Sequence, residues 1–165
     1  MAALEQALDR RGHGTGTARA GFAHVPRTAP IPLSPAQLRL WTVNYLGGQQ
    51  PDYLIATALD IRGPLDAGAV RAAIGDLVAR HEIRCAVLPY AVDGPVQRIP
   101  PIGSARPDFR IVDADGIDSV ERAMESEMLH GFDLTVQQPM RTRLYRLGRE
   151  HHILFGVVHH IAGDG

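Results

Sequence analysis

Ile153-Leu154-Phe155-Gly156-Val157-Val158 is the longest strongly apolar run in the chain. Such a run suits a buried strand and falls far short of the roughly 18 residues a membrane span needs. A buried strand demands covering layers, and the segments before it supply them. Leu33-Ser34-Pro35-Ala36-Gln37 has the pattern of a helix start, with Ser34 as N-cap, Pro35 at N1 and Gln37 closing a capping box. Leu33 and Leu38 have hydrophobic-staple spacing, Leu38, Trp41 and Tyr45 continue at helical spacing, and Gly47-Gly48 ends the helix.

A strand is predicted over 53–62 and a second helix from Asp66, with Val70, Ala73, Ile74, Leu77 and Val78 as its buried stripe. Strands at 84–90 and 95–99 flank a turn at Asp93-Gly94, and another strand covers 108–112. A third helix over 117–130 presents Ile117, Val120, Met124 and Met128 on one face. Strands at 140–147 and 151–158 meet near Gly148. The order predicts an α/β (α+β) layer arrangement, with helices packed on a sheet. Residues 1–8 read as a short helix, and 10–31, with scattered Gly and Pro, as linker. The expected division is therefore 1–31 linker and 32–165 domain.

The 165 residues carry a net charge of −1, so there is no electrostatic case for nucleic acid or an anionic membrane. All 17 basic residues are arginine. Cys85 is the single cysteine, which excludes an internal disulfide and a cysteine-based zinc site. No secretory leader opens the chain, and a cytoplasmic location is expected. No glycine-rich phosphate loop follows any strand. Because a buried strand runs straight into the last residues, the chain reads as part of a longer domain.

Four of the eight histidines cluster: His151, His152, His159 and His160. The first pair, at a strand opening, reads as solvated. Adjacent strand residues point to opposite faces, so His159 and His160 cannot both serve one site. One belongs in the core and the other faces a cavity. Diverging neighbours make poor metal ligands, and no metal is expected. No GxSxG elbow exists for a serine nucleophile. Histidine as a general base without a protein nucleophile remains, since an ordinary imidazole titrates near about 6.5.

His159-His160-Ile161-Ala162-Gly163-Asp164-Gly165 resembles the HHxxxDG motif of condensation domains in nonribosomal peptide synthetases. Leu33 to Trp41 is similar to the family's S-x-A-Q-x-R-L-W opening, Arg80-His81-Glu82-Ile83-Arg84 to its R-H-E-x-L-R motif, and Gly63-Pro64-Leu65-Asp66 to its G-x-L-D helix entry. Phe132-Asp133-Leu134, Pro139-Met140-Arg141 and Leu144 resemble the stretch before the histidines. One residue fewer than usual separates Glu82 from Arg84, and Cys85 stands near a common threonine. The resemblance covers 33–165.

It implies an N-terminal subdomain of a chloramphenicol acetyltransferase-like fold, in which two subdomains meet around a tunnel. Carrier proteins would bring thioesters on phosphopantetheine arms, and an adenylation domain would belong to the same assembly line. No cofactor would be bound directly. By resemblance His160 is catalytic, acting on the acceptor amine in amide formation. His159 shapes the loop, Asp164 is structural with Arg80 or Arg84 as its partner, and Gly165 permits close approach of a substrate arm. The same motif also marks ester-forming and epimerising relatives. Lacking the second subdomain, the isolated chain is expected to be nearly inactive, and a non-catalytic truncated remnant is the alternative.

Overall fold

The computed structural model describes residues 29–101, 104 and 106–163. The expected helix at 1–8 and most of the expected linker, together with Asp164 and Gly165, lie outside these. A first strand, β1 (Ile31–Pro32), leads into helix α1 (Pro35–Gly47). The capping box is present: Gln37 N–H donates to Ser34 Oγ at 3.2 Å, and Ser34 N–H to Gln37 Oε1 at 3.0 Å. Gly48, at φ 75°, ends the helix in the left-handed region, where a side chain is costly.

A 3-10 turn (Pro51–Tyr53) enters strand β2 (Leu54–Arg62), followed by helix α2 (Ala67–Arg80). The Asp66 carboxylate caps α2 by accepting from the N–H groups of Gly68 and Ala69 at 2.7 and 3.2 Å. A further 3-10 turn (Glu82–Arg84) precedes the short strands β3 (Tyr90–Ala91) and β4 (Gly94–Gln97). Strand β5 (Asp108–Asp113), helix α3 (Ile117–Leu129), and strands β6 (Met140–Arg146) and β7 (His151–His159) follow, before a last 3-10 turn (His160–Ala162).

The main sheet has the order β2-β7-β6-β5; a small sheet has the order β1-β4-β3. β5 and β6 are parallel, and α3 supplies the crossover that parallel neighbours require. β7 is central, pairing antiparallel with both β2 and β6. That position accounts for its apolar run. Ile153, Phe155 and Val157 join Trp41, Val120, Phe132 and Tyr145 in the larger core cluster, which draws on α1 and α3. On the opposite face, Val158 packs with the smaller cluster of Val78, Cys85 and Met140 beside α2. Burial pushes the Cys85 thiol pKa up, which keeps it protonated and unreactive.

Several expectations need correction. Ile31, placed in the linker, already pairs with Gln97, next to the Pro32–Val96 pair. In α1 the buried residues are Trp41 and Asn44, whereas Leu38 and Tyr45 are exposed. The helix is held through polar anchors to two loop carbonyls: Trp41 Nε1–H donates to the Leu88 carbonyl at 2.7 Å, and Asn44 Nδ2 to the Phe132 carbonyl at 3.1 Å. The expected strand at 84–90 is mostly irregular, with the end of a 3-10 turn at Arg84, an isolated bridge from Val87 to Arg98, and Tyr90 alone in a strand. His152 is buried rather than solvated, and His151 Nε2 sits 3.0 Å from Asp60 Oδ1.

Buried charge forms a second framework. Arg143 Nε donates to Glu127 Oε1 at 2.6 Å, and its two terminal nitrogens reach both carboxylate oxygens of Asp108 at 3.0 and 3.1 Å. Arg141 pairs with Glu127 through Nε at 2.8 Å, donates to the carbonyls of Glu127, His130 and Gly131 at the end of α3, and lies over the Phe132 ring. These two arginines tie the end of α3 to β5 and β6.

Candidate active site

The two motif histidines part company where β7 ends. The backbone N–H of His159 donates to the Pro139 carbonyl at 2.9 Å, holding the strand end against the segment entering β6. The His159 ring is wholly buried, 6.3 Å from the Tyr53 ring and edge-on to Phe132 at 6.4 Å. Its Nδ1 accepts the Ile161 N–H at 3.1 Å. Burial first, and the neighbouring His160 second, push the His159 pKa down to about 4. The ring is therefore neutral at neutral pH. An accepting Nδ1 places the proton on Nε2. That Nε2 is buried without a partner among the described residues.

The bond to Ile161 folds the chain into the 3-10 turn that His160 opens. His160 consequently leaves the strand and becomes exposed. It lines a cleft of about 720 Å³ whose other walls come from Tyr53 and the first turns of α1: Ser34, Gln37, Arg39 and Leu40. The expectation of one core histidine and one cavity-facing histidine holds.

The loop leaving the site passes Arg84. Its Nη2 lies 4.0 Å from where a Cβ on Gly163 would stand. Arg80, the last residue of α2, is exposed and not among the cleft-lining residues. Of the two arginine candidates, Arg84 is therefore the one beside the motif loop. Asp164 and Gly165 lie outside the described residues.

Of the cleft-lining residues, sequence reasoning singled out only His160 as a site residue; Arg39 and Tyr53 are among those it missed. Arg39 belongs to the α1 opening pattern, and its exposure on the cleft side is set by how Trp41 and Asn44 dock the helix. Tyr53 precedes β2 directly, opposite the end of β7 through the Leu54–His159 pair. Among the described residues, no group of three or more His, Cys, Asp or Glu is placed to hold a metal ion. No helix among them is long and apolar enough to cross a membrane. The arrangement offers an exposed imidazole on a rigid turn beside a cleft, which suits proton transfer to or from a bound group.

The sequence profile of the family described as Condensation domain matches residues 28–165. The isonitrile lipopeptide synthase of Mycobacterium tuberculosis is 46% identical over 143 residues, covering 84% of this chain and 6% of that protein. The dimodular nonribosomal peptide synthase of Bacillus subtilis is 35% identical over 139 residues, covering 84% of this chain and 6% of that protein. The X-domain from teicoplanin biosynthesis superposes with a TM-score of 0.71 at 33% identity, over 84% of this chain and 29% of that structure. The starter condensation domain of a rhizomide synthetase superposes with a TM-score of 0.74 at 21% identity, over 84% of this chain and 34% of that structure. This chain thus spans a small part of the curated relatives and about a third of the solved chains.

Proposed function

The chain belongs to the condensation-domain family of nonribosomal peptide synthetases, and on that premise we propose that it provides one wall of an amide-forming active site in which His160 acts on the acceptor amine. The observation that carries the reading is the exposed His160 ring, held on a fixed turn beside a 720 Å³ cleft.

In the proposed reaction, the acceptor amine and the donor acyl group arrive as thioesters on the phosphopantetheine arms of two carrier proteins. The neutral amine attacks the donor thioester carbonyl, a C–N bond forms, and the C–S bond breaks. The thiolate leaves on the donor arm, and the ammonium proton passes through the His160 imidazole to it. The thioester is already activated, so alignment of the two ends contributes more than proton transfer alone; well-oriented pairs gain on the order of 7–11 kcal/mol. His159 holds the turn that aims His160. Arg84 is the proposed partner of Asp164, the residue directly after Gly163. Carrier proteins and an adenylation domain are the proposed assembly-line partners, with a second subdomain as the opposite wall.

The test uses two loaded carrier proteins and mass-spectrometric detection of the amide. The 165-residue chain alone gives little or no product, because its cleft is open to water. A complete domain carrying this segment gives product, and His160→Ala lowers the rate by roughly 100-fold or more. Undiminished amide formation by that variant in the complete domain overturns the reading.

A further inference from the structure

The cleft beside His160 has soft walls and one stiff one. On its α1 side, Ser34 and Gln37 are bonded to each other's backbone N–H groups, and Gln37 Oε1 also accepts from Gln97 Nε2 at 3.3 Å. Arg39 is exposed, and its long side chain keeps many rotamers. Tyr53 differs. Its half-buried ring lies 6.3 Å from the His159 ring, tilted by 43°. His159 is wholly buried and meets Phe132 edge-on at 6.4 Å, and Phe132 carries the Arg141 guanidinium over its ring at 4.3 Å. Rings at such separations attract and orient one another.

The backbone under Tyr53 is fixed as well. Leu54 N–H donates to the Pro51 carbonyl and closes the 3-10 turn that carries Tyr53. Just before that turn, Gln49 and Gln50 press on Gly131 so closely that a Cβ there would clash with their carbonyl oxygens. A row of rings therefore runs from the core to the cleft and ends at Tyr53.

The register sets this ring beside the reactive group. Leu54 and His159 are the last paired residues of β2 and β7 at this end. Tyr53 and His160 are the next residue out on each strand, and both line the cleft. Antiparallel neighbours stand about 4.5–5.5 Å apart at their Cα atoms. An amine that exchanges a proton with His160 lies within about 3 Å of the imidazole. The carbon bearing that amine is one bond further. A substituent on this carbon that turns towards the strand ends meets Tyr53, which is too well buttressed to yield.

We propose that Tyr53 sets the size of the group carried on the amine-bearing carbon of the acceptor, and that it favours a small aliphatic group over a bulky one. The proposal rests on the reading of His160 as the residue that acts on the acceptor amine, and it adds the residue that discriminates among acceptors.

The test compares alanyl and phenylalanyl thioesters on one carrier protein as acceptors, using the complete domain carrying this segment and mass-spectrometric rates of amide formation. The unsubstituted domain has the higher kcat/KM for the alanyl acceptor. Tyr53→Ala raises the phenylalanyl-to-alanyl ratio at least 10-fold, the low end of what a methylene-sized change in a pocket commands. Tyr53→Trp lowers the ratio, and Tyr53→Phe, which keeps the ring, leaves the ratio where it was. A merely structural defect slows both acceptors alike. An unmoved ratio in the alanine or the tryptophan variant therefore overturns the proposal, as does a preference of the unsubstituted domain for the phenylalanyl acceptor. If Tyr53→Ala fails to fold, Tyr53→Trp decides by itself. If no amide forms, calorimetric titration with alanyl- and phenylalanyl-pantetheine reads the same ratio as affinities, and an unmoved ratio or absence of binding overturns the proposal. His160→Ala, assayed alongside, separates the two claims. Loss of amide in that variant with an unmoved ratio in the Tyr53 variants sinks this inference alone, whereas full activity of His160→Ala sinks the function proposed above.

Discussion

At the scale of single residues, the histidine pair was legible, and only the family resemblance gave His160 the catalytic place. Alternation along a strand requires one ring in and one ring out, but it does not say which. His159 goes inside because its Nδ1 finds the Ile161 N–H, a bond invisible before the turn is built. A pH effect follows. The folded-state pKa of His159 lies at about 4, below its ordinary value of 6.5. The unfolded chain therefore takes up a proton between those two values while the folded chain does not. Stability falls as pH drops from 6.5 towards 4, by an amount on the order of 3 kcal/mol. His159→Asn keeps an acceptor near the Nδ1 position and removes the titration. Urea unfolding at pH 7 and pH 4.5 should show a smaller stability loss in that variant than in the unsubstituted protein. An equal loss in both would place the acid sensitivity elsewhere.

At the scale of elements, starts and stops were readable because they are local chemistry. The Ser34–Gln37 box and the glycine at position 48 act within a few residues of themselves. Side-chain faces were less readable, because docking decides them. Leu38 and Tyr45 are as apolar as Trp41, yet the hydrogen bonds of Trp41 and Asn44 choose the face of α1 that turns inward. The charge framework around Glu127 was equally hidden, since its members come from separate elements. Glu127→Ala leaves Arg141 and Arg143 buried with less compensation and should cost about 3 kcal/mol in denaturant unfolding. Gly131 offers a steric counterpart. A Cβ there would stand 2.0 Å from the Gln49 carbonyl oxygen, so Gly131→Ala should cost on the order of 2–3 kcal/mol by the same measurement.

At the scale of the whole molecule, the layered α/β architecture was foreseeable from element order, and the resemblance that spans 33–165 agrees with the profile match over 28–165. The strand order was hidden, because pairing partners lie far apart in sequence and no local pattern joins them. One consequence of that order is a nine-residue edge at β2 with exposed residues on both faces, including Leu59 at 52%. Open apolar edges invite pairing with other chains. Sedimentation of the 165-residue chain should show concentration-dependent association, and Ala58→Lys should reduce it. A monomer at all concentrations would argue that the edge is protected. The outer wall of the 720 Å³ cleft belongs to this scale too, since the described residues leave the His160 side open.

β7 is clamped in register by nine residue pairs with β2 and seven with β6. Because neighbouring strand residues face opposite ways, a slip of one position would exchange the environments of His159 and His160. The imidazole now sealed in the core would swing into the cleft, and the exposed one would be entombed. The two flanking strands therefore fix which of two chemically identical side chains faces the cleft. Which imidazole is sealed and which is open to solvent is assigned by counting residues along a hydrogen-bond ladder.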